Sequence, residues 1–575
     1  MANRSTAIIV LARWAGILWL VASSVCTHAM RPPQILYTDI SSGPNTGGEG
    51  NNGSYLSIFG TGFGTDISKT KVLVGDGEVA RYAFLGRSLG RSDIQQLSVQ
   101  LGPKTSTGAV RVIVNGVAAE GVTTFTVRPG DFYFVSSSGS DGRGRVNDPS
   151  RPFRTPNYVQ GLGGFGRGDF IVVREGRYVL ADKDNNIQAD SWLRASKSGT
   201  ADAPIAFVGY PGERVDVQHS RNIRIFSNYV TISNWVVGNF QVSLTDCTGP
   251  GEVVLIGPPT TPEVCRDSGG SVGGKATDIK FVNMDIDGHD QFGFCSGGDG
   301  LVEIGYSRNV KVIGLALHNT SPARRDESAH AIYLAARQEG TEVGWNTLHH
   351  MPATRGVIQA HQDAYWGACW GKKYLTRVRI HHNVLHDLAG QAVLLDGGTG
   401  DMLLDNNVIY RNLDYRYNDV VALRGGGGKL NVTMVQNTIC ADPNVRGTGQ
   451  LIGIGFSDFP ERVALYGNIF CVTSRNDRYI GTEADYSDLQ KWLRGGHMRS
   501  MNNLWYGAGN GKPSFAGAGE LDGPPQFVDE ARGDFSLKAA SPAWRSADPV
   551  PESGVEKWME LTRQLGKPRL GADWF

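Results

Sequence analysis

Segments in the second half of the chain align on one another, and this internal repeat limits the possible fold more than any other feature. AIYLAARQEGTEVGWNTLHH (331–350) aligns without a gap on AVLLDGGTGDMLLDNNVIYR (392–411), which places Asn346 over Asn407. VVALRGGGGKLNVTMVQNTIC and LIGIGFSDFPERVALYGNIFC repeat the pattern with two extra residues in the middle. The apolar residues alternate within short runs, which favours strands over helices.

The aligned Asn residues form a column, and large apolar residues form a second column two positions further on. The Asn residues are 37, 24, 30, 31 and 35 positions apart. Units that bury their apolar face only against their neighbours build a solenoid, and here the strands predict a β-solenoid whose Asn side chains bond from coil to coil. An antiparallel sandwich with Asn-rich turns is the alternative. The Asn column holds Asn346, Asn383, Asn407, Asn437, Asn468 and Asn503, and the apolar column holds Leu348, Leu385, Ile409, Ile439, Phe470 and Trp505.

Length and charge limit the architecture and the partners. A chain of 575 residues predicts more than one domain. Lys+Arg and Asp+Glu are both 56, so no net field attracts nucleic acid or an anionic membrane. We therefore expect no nucleic-acid partner, and we expect a monomer.

The N-terminus has the features of a secretory signal. Arg4 and Arg13 flank AIIVLA, the apolar segment AGILWLVASSV follows, and Thr27 and Ala29 are small residues at the spacing of a cleavage site. The apolar run is shorter than a membrane span needs. The pattern predicts a signal peptide over residues 1–29 and a secreted protein, periplasmic or extracellular, with no stable membrane span after cleavage. An uncleaved anchor is the alternative.

Six cysteines remain after the predicted cleavage, and an even number in an exported chain favours disulfides. Cys440 and Cys471 each follow a column Asn by three residues, so they occupy equivalent places on adjacent coils. Strands about 4.8 Å apart allow a disulfide there. Cys247 and Cys265 share one polar loop and are expected to pair. The two left over, Cys295 and Cys369, form either a third disulfide or two buried thiols.

Residues 33–127 differ from the repeat. They contain strands separated by Gly-rich turns, from PPQILYTDISSGPNTGGEGNNGSYLSIFGTGFG to VRVIVNGVAAEGVTTFTV. SGPNTGG followed by LSIFGTGFG and a closing FTV resembles an IPT/TIG domain. The resemblance implies an immunoglobulin-like sandwich that acts as a spacer or binding module.

The rest of the chain resembles the right-handed parallel β-helix, or pectin-lyase-like, superfamily. FYFVSSSGSDGRGRVNDPSRPFRTPNYV resembles that family's first strand and cap, GDFIVVREGRYV and PIAFVGYPGERVDV its first coils, and FVDEARGDFSLKAASPAW its ending. The fold class is therefore expected to be all-β, with a parallel β-helix over 131–545 and a tail, 546–575, that packs on it. The superfamily contains lyases, hydrolases, epimerases and adhesins, so function has to come from a site.

One sheet of such a helix lines a groove, and LVEIG, AIYLA, VIQAH, AVLLD, VVALR and LIGIG align as that sheet. Alternation predicts two outward columns with polar and aromatic residues in the middle. The inward residues are Val302, Ile304, Ile332, Leu334, Ile358, Leu395 and Leu423. The outward columns are Glu303, Tyr333, Gln359, Leu394 and Ala422, and Gly305, Ala335, His361, Asp396 and Arg424.

The segments beside this sheet contribute aromatic and basic residues. The loop QDAYWGACWGKKYLTR is about a dozen residues longer than its counterparts, and long loops on rigid scaffolds often carry function. Aromatic faces stack on sugar rings and cations neutralise carboxylates, so the groove suits an acidic polysaccharide. The predicted rim residues are Tyr365, Trp366, Trp370, Lys372 and Lys373 in this loop, and Arg355 and His330 before two of the strands.

Cleavage of a uronate polymer by β-elimination needs a base, an acid and a cation at the carboxylate. His361, Lys372 or Lys373 is the predicted base, and Tyr333 is the predicted acid, or the base if its pKa is lowered. Arg424, Arg355 or a bound Ca²⁺ would hold the carboxylate. The other outward and rim residues, Glu303, Gln359, Asp396, His330, Tyr365, Trp366 and Trp370, are predicted to bind substrate.

Two other functions stay open. A glycosidase would need two close carboxylates, and Asp363 near Asp396 is the better pair because Glu303 and Asp396 are three coils apart. An adhesive glycan-binding protein would use the same surfaces without chemistry. NMDIDGHDQ (283–291) and DKDNN (182–186) crowd oxygen atoms but lack a calcium-loop pattern, and the pairs 349/350 and 381/382 lack zinc-site spacing, so all four are expected to be surface turns.

Overall fold

The structure of the protein is a computed structural model. Its described residues are 32–179, 192–218, 223–238, 254–256, 276–292, 300–305, 307–320, 330–335, 338–352, 356–361, 375–396, 400–414, 419–425, 430–441, 449–455, 458–472, 478–482, 484–507 and 511–544.

Most of the chain forms a right-handed parallel β-helix with three sheets, as the fold family predicted. Successive strands pass from sheet 1 to sheet 2 to sheet 3 and then back to sheet 1 one coil further on. Within each sheet the pairs are parallel, so every coil stacks on the one before it.

The strands of sheet 1 are Phe132–Val135, Phe170–Val173, Ile205–Gly209, Val230–Ser233, Ala276–Val282, Ser307–Ile313, Glu342–Gly344, Val378–His381, Gly400–Asp405, Leu430–Val435, Arg462–Tyr466 and Met498–Met501, with the short Gln338–Glu339 and Leu375–Thr376 beside them. The strands of sheet 2 are Gly176–Val179, Val215–Gln218, Val236–Gly238, Asp285–Phe292, Ala316–Thr320, Thr347–Met351, Val384–Ala389, Val408–Asp414, Thr438–Cys440, Ile469–Val472, Leu504–Gly507 and Leu521–Asp522. The strands of sheet 3 are Leu193–Ala195, Ile223–Ile225, Val254–Ile256, Gly300–Ile304, His330–Ala335, Ile358–His361, Val393–Asp396, Asp419–Arg424, Gln450–Ile454 and Arg478–Gly481.

The Asn column lies in the turn from sheet 1 to sheet 2 and forms a ladder inside the helix. The residue before each Asn has a left-handed backbone, as at Trp345 (φ 60°) and Asn406 (φ 54°), which turns the chain and directs the next side chain inward. The side chain of Asn407 donates to Asn437 Oδ1 at 2.9 Å and to the Ile380 carbonyl at 2.8 Å. The predicted coil-to-coil ladder is confirmed.

The ladder has a defined beginning and end. Leu315 occupies the equivalent inward position one coil before Asn346, and its backbone N–H donates to Asn346 Oδ1 at 2.8 Å. At the other end, the backbone and side-chain nitrogens of Asn503 donate to the carboxylate of Glu520, each at 3.0 Å. Glu520 therefore accepts the hydrogen bonds that a further Asn would accept.

Cys440 and Cys471 are paired in register on neighbouring strands of sheet 2 and form a disulfide, with their Cα atoms 4.4 Å apart. This prediction is confirmed. The expected Cys247–Cys265 pair, the leftover cysteines, the 1–29 signal and the 546–575 tail all lie outside the described residues.

The N-terminal region is a sandwich of two largely antiparallel sheets, as predicted for an immunoglobulin-like unit. One sheet has the order Gln34–Thr38, Tyr55–Thr61, Gln95–Gln100 and Arg81–Arg87. The other contains Ser42–Gly43, Thr70–Val74, Gly77–Glu78, Gly108–Val114, Val117–Ala118 and Thr123–Val127.

The sandwich packs against the outer face of sheet 1 through buried polar contacts. Lys280 on sheet 1 donates to the backbone carbonyls of Thr38 (3.2 Å) and Asp39 (2.9 Å). The Asp39 carboxylate accepts from Ser233 at 3.1 Å. Burial lowers the pKa of Lys280 to about 8 and raises the pKa of Asp39. Two charged groups are thus removed from water where the two domains meet.

A second contact corrects one expectation from the sequence. Arg91 of the sandwich donates to the His382 carbonyl at 2.7 Å and lies over the Trp345 ring. His381 and His382 are only 3% and 4% exposed. The pair 381/382 is therefore not a surface turn, because the docked sandwich covers it.

Within the described residues, the remaining elements are two α-helices, one antiparallel strand pair and four short 3₁₀ helices. The α-helix Pro156–Gly161 begins at the Thr155 cap and lies near the first coils, and Tyr486–Arg494 forms a second α-helix near the last. The antiparallel strands Phe527–Asp529 and Asp534–Leu537 pack on the outer face of sheet 2, where Phe535 contacts Tyr410. Short 3₁₀ helices are Glu49–Asn51, Ile67–Lys69, Glu530–Arg532 and Pro542–Trp544. No helix in the described part of the chain is long and apolar enough to cross a membrane.

Candidate active site on the outer face of sheet 3

The strands of sheet 3 pair in the register that the sequence predicted. Tyr333 pairs with Gln359, which pairs with Leu394, and His361 pairs with Asp396, which pairs with Arg424. The residues expected to face inward, Val302, Ile304, Ile332, Leu334, Ile358, Leu395 and Leu423, are all 0% exposed. The intervening positions of these strands therefore face outward and form the outer face of sheet 3, which is the floor of the candidate site.

Four side chains from four successive strands form a line across this floor. The Tyr333 hydroxyl lies 3.4 Å from His361 Nδ1, and His361 Nε2 lies 3.9 Å from Asp396 Oδ2. The Arg424 guanidinium is 3.8 Å from the same carboxylate oxygen. One imidazole thus faces a phenol on one nitrogen and a carboxylate on the other, an arrangement that can move a proton.

Exposure divides the predicted residues into two groups. The side chains of His361 and Asp396 are 29% and 24% exposed, whereas that of Arg424 is only 5% exposed. His330 is 1% exposed and bonds through Nδ1 to the Gly356 carbonyl at 2.7 Å. Arg424 and His330 are therefore almost fully enclosed by protein, whereas His361 and Asp396 are partly open to solvent.

Gln359 lies in the floor beside this line. Its side-chain oxygen is buried and has no hydrogen-bond partner among the described residues. A buried acceptor without a donor costs free energy, so the Gln359 oxygen is an uncompensated polar atom within sheet 3.

Sequence reasoning missed two parts of this face. Upstream, Arg194 and Arg224 pair in register and continue the column of Glu303 and Tyr333 towards the start of the helix. Their strands, LRA and IRI, are so short that the alternation gives little signal.

The other missed part is a polar row at the beginning of the later strands. Asp419, Gln450 and Arg478 share one register, and Gln391 donates to Asp419 at 2.6 Å. The sequence does contain a signal for this row, because a polar residue stands directly before an apolar pair in each of QAVLLD, DVVALR and QLIGI. Gln391 and Asp419 are 0% and 3% exposed, so they brace the floor from the side.

Several predicted residues fall outside the described part of the chain. They are Lys372, Lys373, Tyr365, Trp366 and Trp370 of the long loop, and Arg355. Their roles remain predictions from the sequence.

Comparisons with known proteins show no family for this chain. No protein-family profile and no curated protein matches the chain. Similar solved structures include pectate lyase Pel9A, at 12% identity over 77% of this chain and 96% of that chain with a TM-score of 0.41. An alginate lyase from Paenibacillus sp. str. FPU-7 shares 15% identity over 57% and 97% with a TM-score of 0.34.

The catalytic domain of a GH87 α-1,3-glucanase is also similar, at 11% identity over 87% of this chain and 94% of that chain with a TM-score of 0.27. Similarities at these low identities and TM-scores do not support any inference about the activity of this protein. The architecture rests on the strand pairing described above, and any function has to be argued from the site.

Proposed function

We propose that the protein is a secreted polysaccharide lyase that cleaves an acidic, uronate-containing polysaccharide by β-elimination on the outer face of sheet 3. The observation that carries the proposal is the line Tyr333–His361–Asp396. It supplies a titratable base and a phenolic acid side by side on a rigid sheet, which is what abstraction of a sugar C5 proton and protonation of the leaving oxygen require.

His361 is the proposed base and Tyr333 the proposed acid. In the neutral form an imidazole carries one N–H and one free nitrogen. A carboxylate near Nε2 favours the tautomer with the proton on that nitrogen, which leaves Nδ1 free on the Tyr333 side. Asp396 then keeps His361 oriented and stabilises it once it has taken up a proton.

The substrate carboxylate needs a cation. Arg424 is buried beside Asp396, so its charge is directed to that carboxylate rather than to the groove. Arg355, Lys372 and Lys373 are the remaining protein candidates for this role. Ca²⁺ prefers six to eight oxygen ligands, and the described residues contain no group of three His, Cys, Asp or Glu side chains placed to hold an ion.

The rest of the groove fits the binding of a sugar chain. Gln359, Glu303 and the upstream arginines are proposed to extend the polar floor along the helix axis. The loop residues Tyr365, Trp366 and Trp370 are proposed to stack on sugar rings. The proposal also includes an IPT/TIG domain over residues 33–127 and a β-helix over residues 131–545. The protein is further proposed to be a monomer.

A product assay separates the proposal from its alternatives. The purified protein is incubated with alginate, pectate and glycosaminoglycans, and the products are followed by ultraviolet absorbance and by reducing ends. A lyase releases unsaturated uronates that absorb in step with new reducing ends. Reducing ends without absorbance would instead indicate a hydrolase, for which Asp363 and Asp396 are the carboxylates. Retention on an acidic glycan without either signal would indicate an adhesive protein and would end the enzymatic proposal.

A further inference from the structure

The fold gathers histidines and aspartates on the outer face of sheet 2, a different sheet from the candidate active site. His318, His349 and His386 occupy the same register on three successive strands. Two of the segments that supply this patch, 283–291 and the pair 349/350, were expected to be surface turns, but they contribute to the strands Asp285–Phe292 and Thr347–Met351 of sheet 2. The histidine patch consists of His289, His318, His349, His350 and His386 with Asp285, Asp287 and Asp387.

The backbone explains why the patch has two parallel rows. The residue after each of the three in-register histidines has a left-handed backbone, with φ of 59° at Asn319, 54° at His350 and 54° at Asp387. Each strand therefore bends and places a second polar side chain beside the first. The rings of His318 and His349 stack with their centres 5.0 Å apart, and those of His349 and His386 with theirs 5.2 Å apart.

Carboxylates hold the two outer imidazoles of the row. His318 Nε2 lies 2.7 Å from Asp285 Oδ1, and His386 Nδ1 lies 2.6 Å from Asp387 Oδ2. Histidines in metal sites are typically oriented by carboxylates in this way.

The middle of the row is different, because two imidazole nitrogens face each other there. His349 Nδ1 and His350 Nδ1 are 2.6 Å apart, and His350 is exposed. Two neutral imidazoles can hold at most one proton between these two atoms. A cation that prefers nitrogen ligands could replace that proton, and it could enter from the solvent side.

We propose that the histidine patch binds a divalent transition-metal ion, represented by Zn²⁺, between Nδ1 of His349 and Nδ1 of His350. Zn–N distances of about 2.0–2.1 Å in a tetrahedral site require the nitrogens to be about 3.3 Å apart. The pair has to open by less than about 1 Å, which a small rotation of the exposed His350 ring provides. Ca²⁺ is not expected to bind there, because it prefers oxygen ligands.

No three ligand groups converge on one point among the described residues, so the proposed ion has two protein ligands. Its other positions are open to water or to an added ligand. The stacked rings of His318 and His386 limit the movement of His349, so one half of the pair is already oriented before the ion binds. Binding displaces a proton, so the affinity falls as the pH is lowered.

The experiment uses the untagged full chain, stripped of metal with a chelator and then freed of the chelator. Zn²⁺ is titrated in competition with a chromophoric chelator, for the wild type and for His349→Ala, His350→Ala and the control His497→Ala. His497 lies on another coil, with its Nδ1 2.9 Å from the Glu461 carbonyl. We expect one Zn²⁺ per wild-type chain, a loss of affinity of at least about tenfold in both patch variants, and no change in the control.

Cu²⁺ serves as a second probe, because its electron paramagnetic resonance spectrum reports directly bound nitrogens. Two imidazole nitrogens are expected in the wild type and one in His350→Ala. The exposed position of His350 makes a folding defect in that variant easy to exclude by its melting temperature. The inference is overturned if the wild type retains no more Zn²⁺ than the His349→Ala,His350→Ala double variant, or if His350→Ala binds Zn²⁺ as tightly as the wild type.

Discussion

Replacing one rung of the Asn ladder tests how the helix is held together. Asn437 is 1% exposed. Its side-chain nitrogen donates to the Leu404 carbonyl at 2.8 Å and to Asn468 at 2.9 Å, and its side-chain oxygen accepts from the backbone and side chain of Asn407 at 3.0 and 2.9 Å. Asn437→Ala removes all four bonds at once.

The magnitude follows from the groups that lose a partner. The Asn407 backbone N–H and one Asn407 side-chain N–H stay buried without their acceptor, and the Leu404 carbonyl loses the Asn437 side-chain donor. Asn468 still accepts from the backbone of residue 437. Each of the two buried N–H groups left without an acceptor costs about 1–3 kcal/mol, so we expect a loss of about 2–6 kcal/mol. That is a large part of the 5–15 kcal/mol typical of a folded domain.

Equilibrium urea unfolding followed by circular dichroism measures this loss. Asn431→Ala is the matched control, because Asn431 lies on the same coil but bonds to Asp401 at 3.1 Å on the surface. The control should change the unfolding free energy by no more than about 0.5 kcal/mol. If Asn437→Ala costs no more than about 1 kcal/mol above the control, the ladder does not stabilise the helix in the way described.

Other perturbations probe the domain contact and the disulfide. Arg91→Ala removes a buried charged donor and should lower the free energy of unfolding in urea by about 2–3 kcal/mol. Arg87→Ala, at an exposed position, is the control. Equal unfolding free energies for the two variants would show that docking of the sandwich does not depend on this contact. The folded pKa of Lys280 is about 8 against 10.5 for the free side chain, so between these values the unfolded chain binds a proton that the folded chain lacks. Stability should therefore rise with pH over this window by about 3 kcal/mol, and an unchanged slope in Lys280→Met would contradict the assignment. Replacing Cys440 and Cys471 by Ser should lower the free energy of unfolding by about 3–4 kcal/mol, because the disulfide closes a loop of 31 residues. If the wild type has the same unfolding midpoint with and without reductant, the disulfide does not stabilise the protein in this way.

The sequence predicted the core of the β-helix well because inward positions accept few residue types. The Asn column could be predicted without a structure, since each Asn from 346 to 468 donates to the Asn of the next coil and the Asn residues therefore recur at equivalent positions. The register of sheet 3 could also be predicted, because its strands place apolar residues at fixed alternate positions around Tyr333 and His361.

Contacts between distant parts of the chain could not be predicted in this way. His382 is buried because Arg91, 291 positions away, docks on its carbonyl, and nothing in the local pattern indicates this. The burial of Arg424 and the convergence of Asp285, His318 and His349 also depend on how coils stack rather than on spacing along the chain. A pair of histidines looks the same in sequence whether it is covered by a domain or exposed to solvent.

The most direct test of the proposed function is the rate of uronate elimination by wild type, His361→Ala and Tyr333→Phe on the acidic polysaccharide that the wild type cleaves best. Loss of a general base or acid costs about 10²–10⁴-fold, so kcat/KM should fall by roughly a hundredfold or more in both variants. His497→Ala, remote from the groove, should keep the wild-type rate, and all variants should keep the wild-type melting temperature. Full activity in His361→Ala would contradict the assignment of His361 as the base, and a wild type that binds acidic polysaccharides without ever producing an unsaturated uronate would contradict the lyase proposal itself.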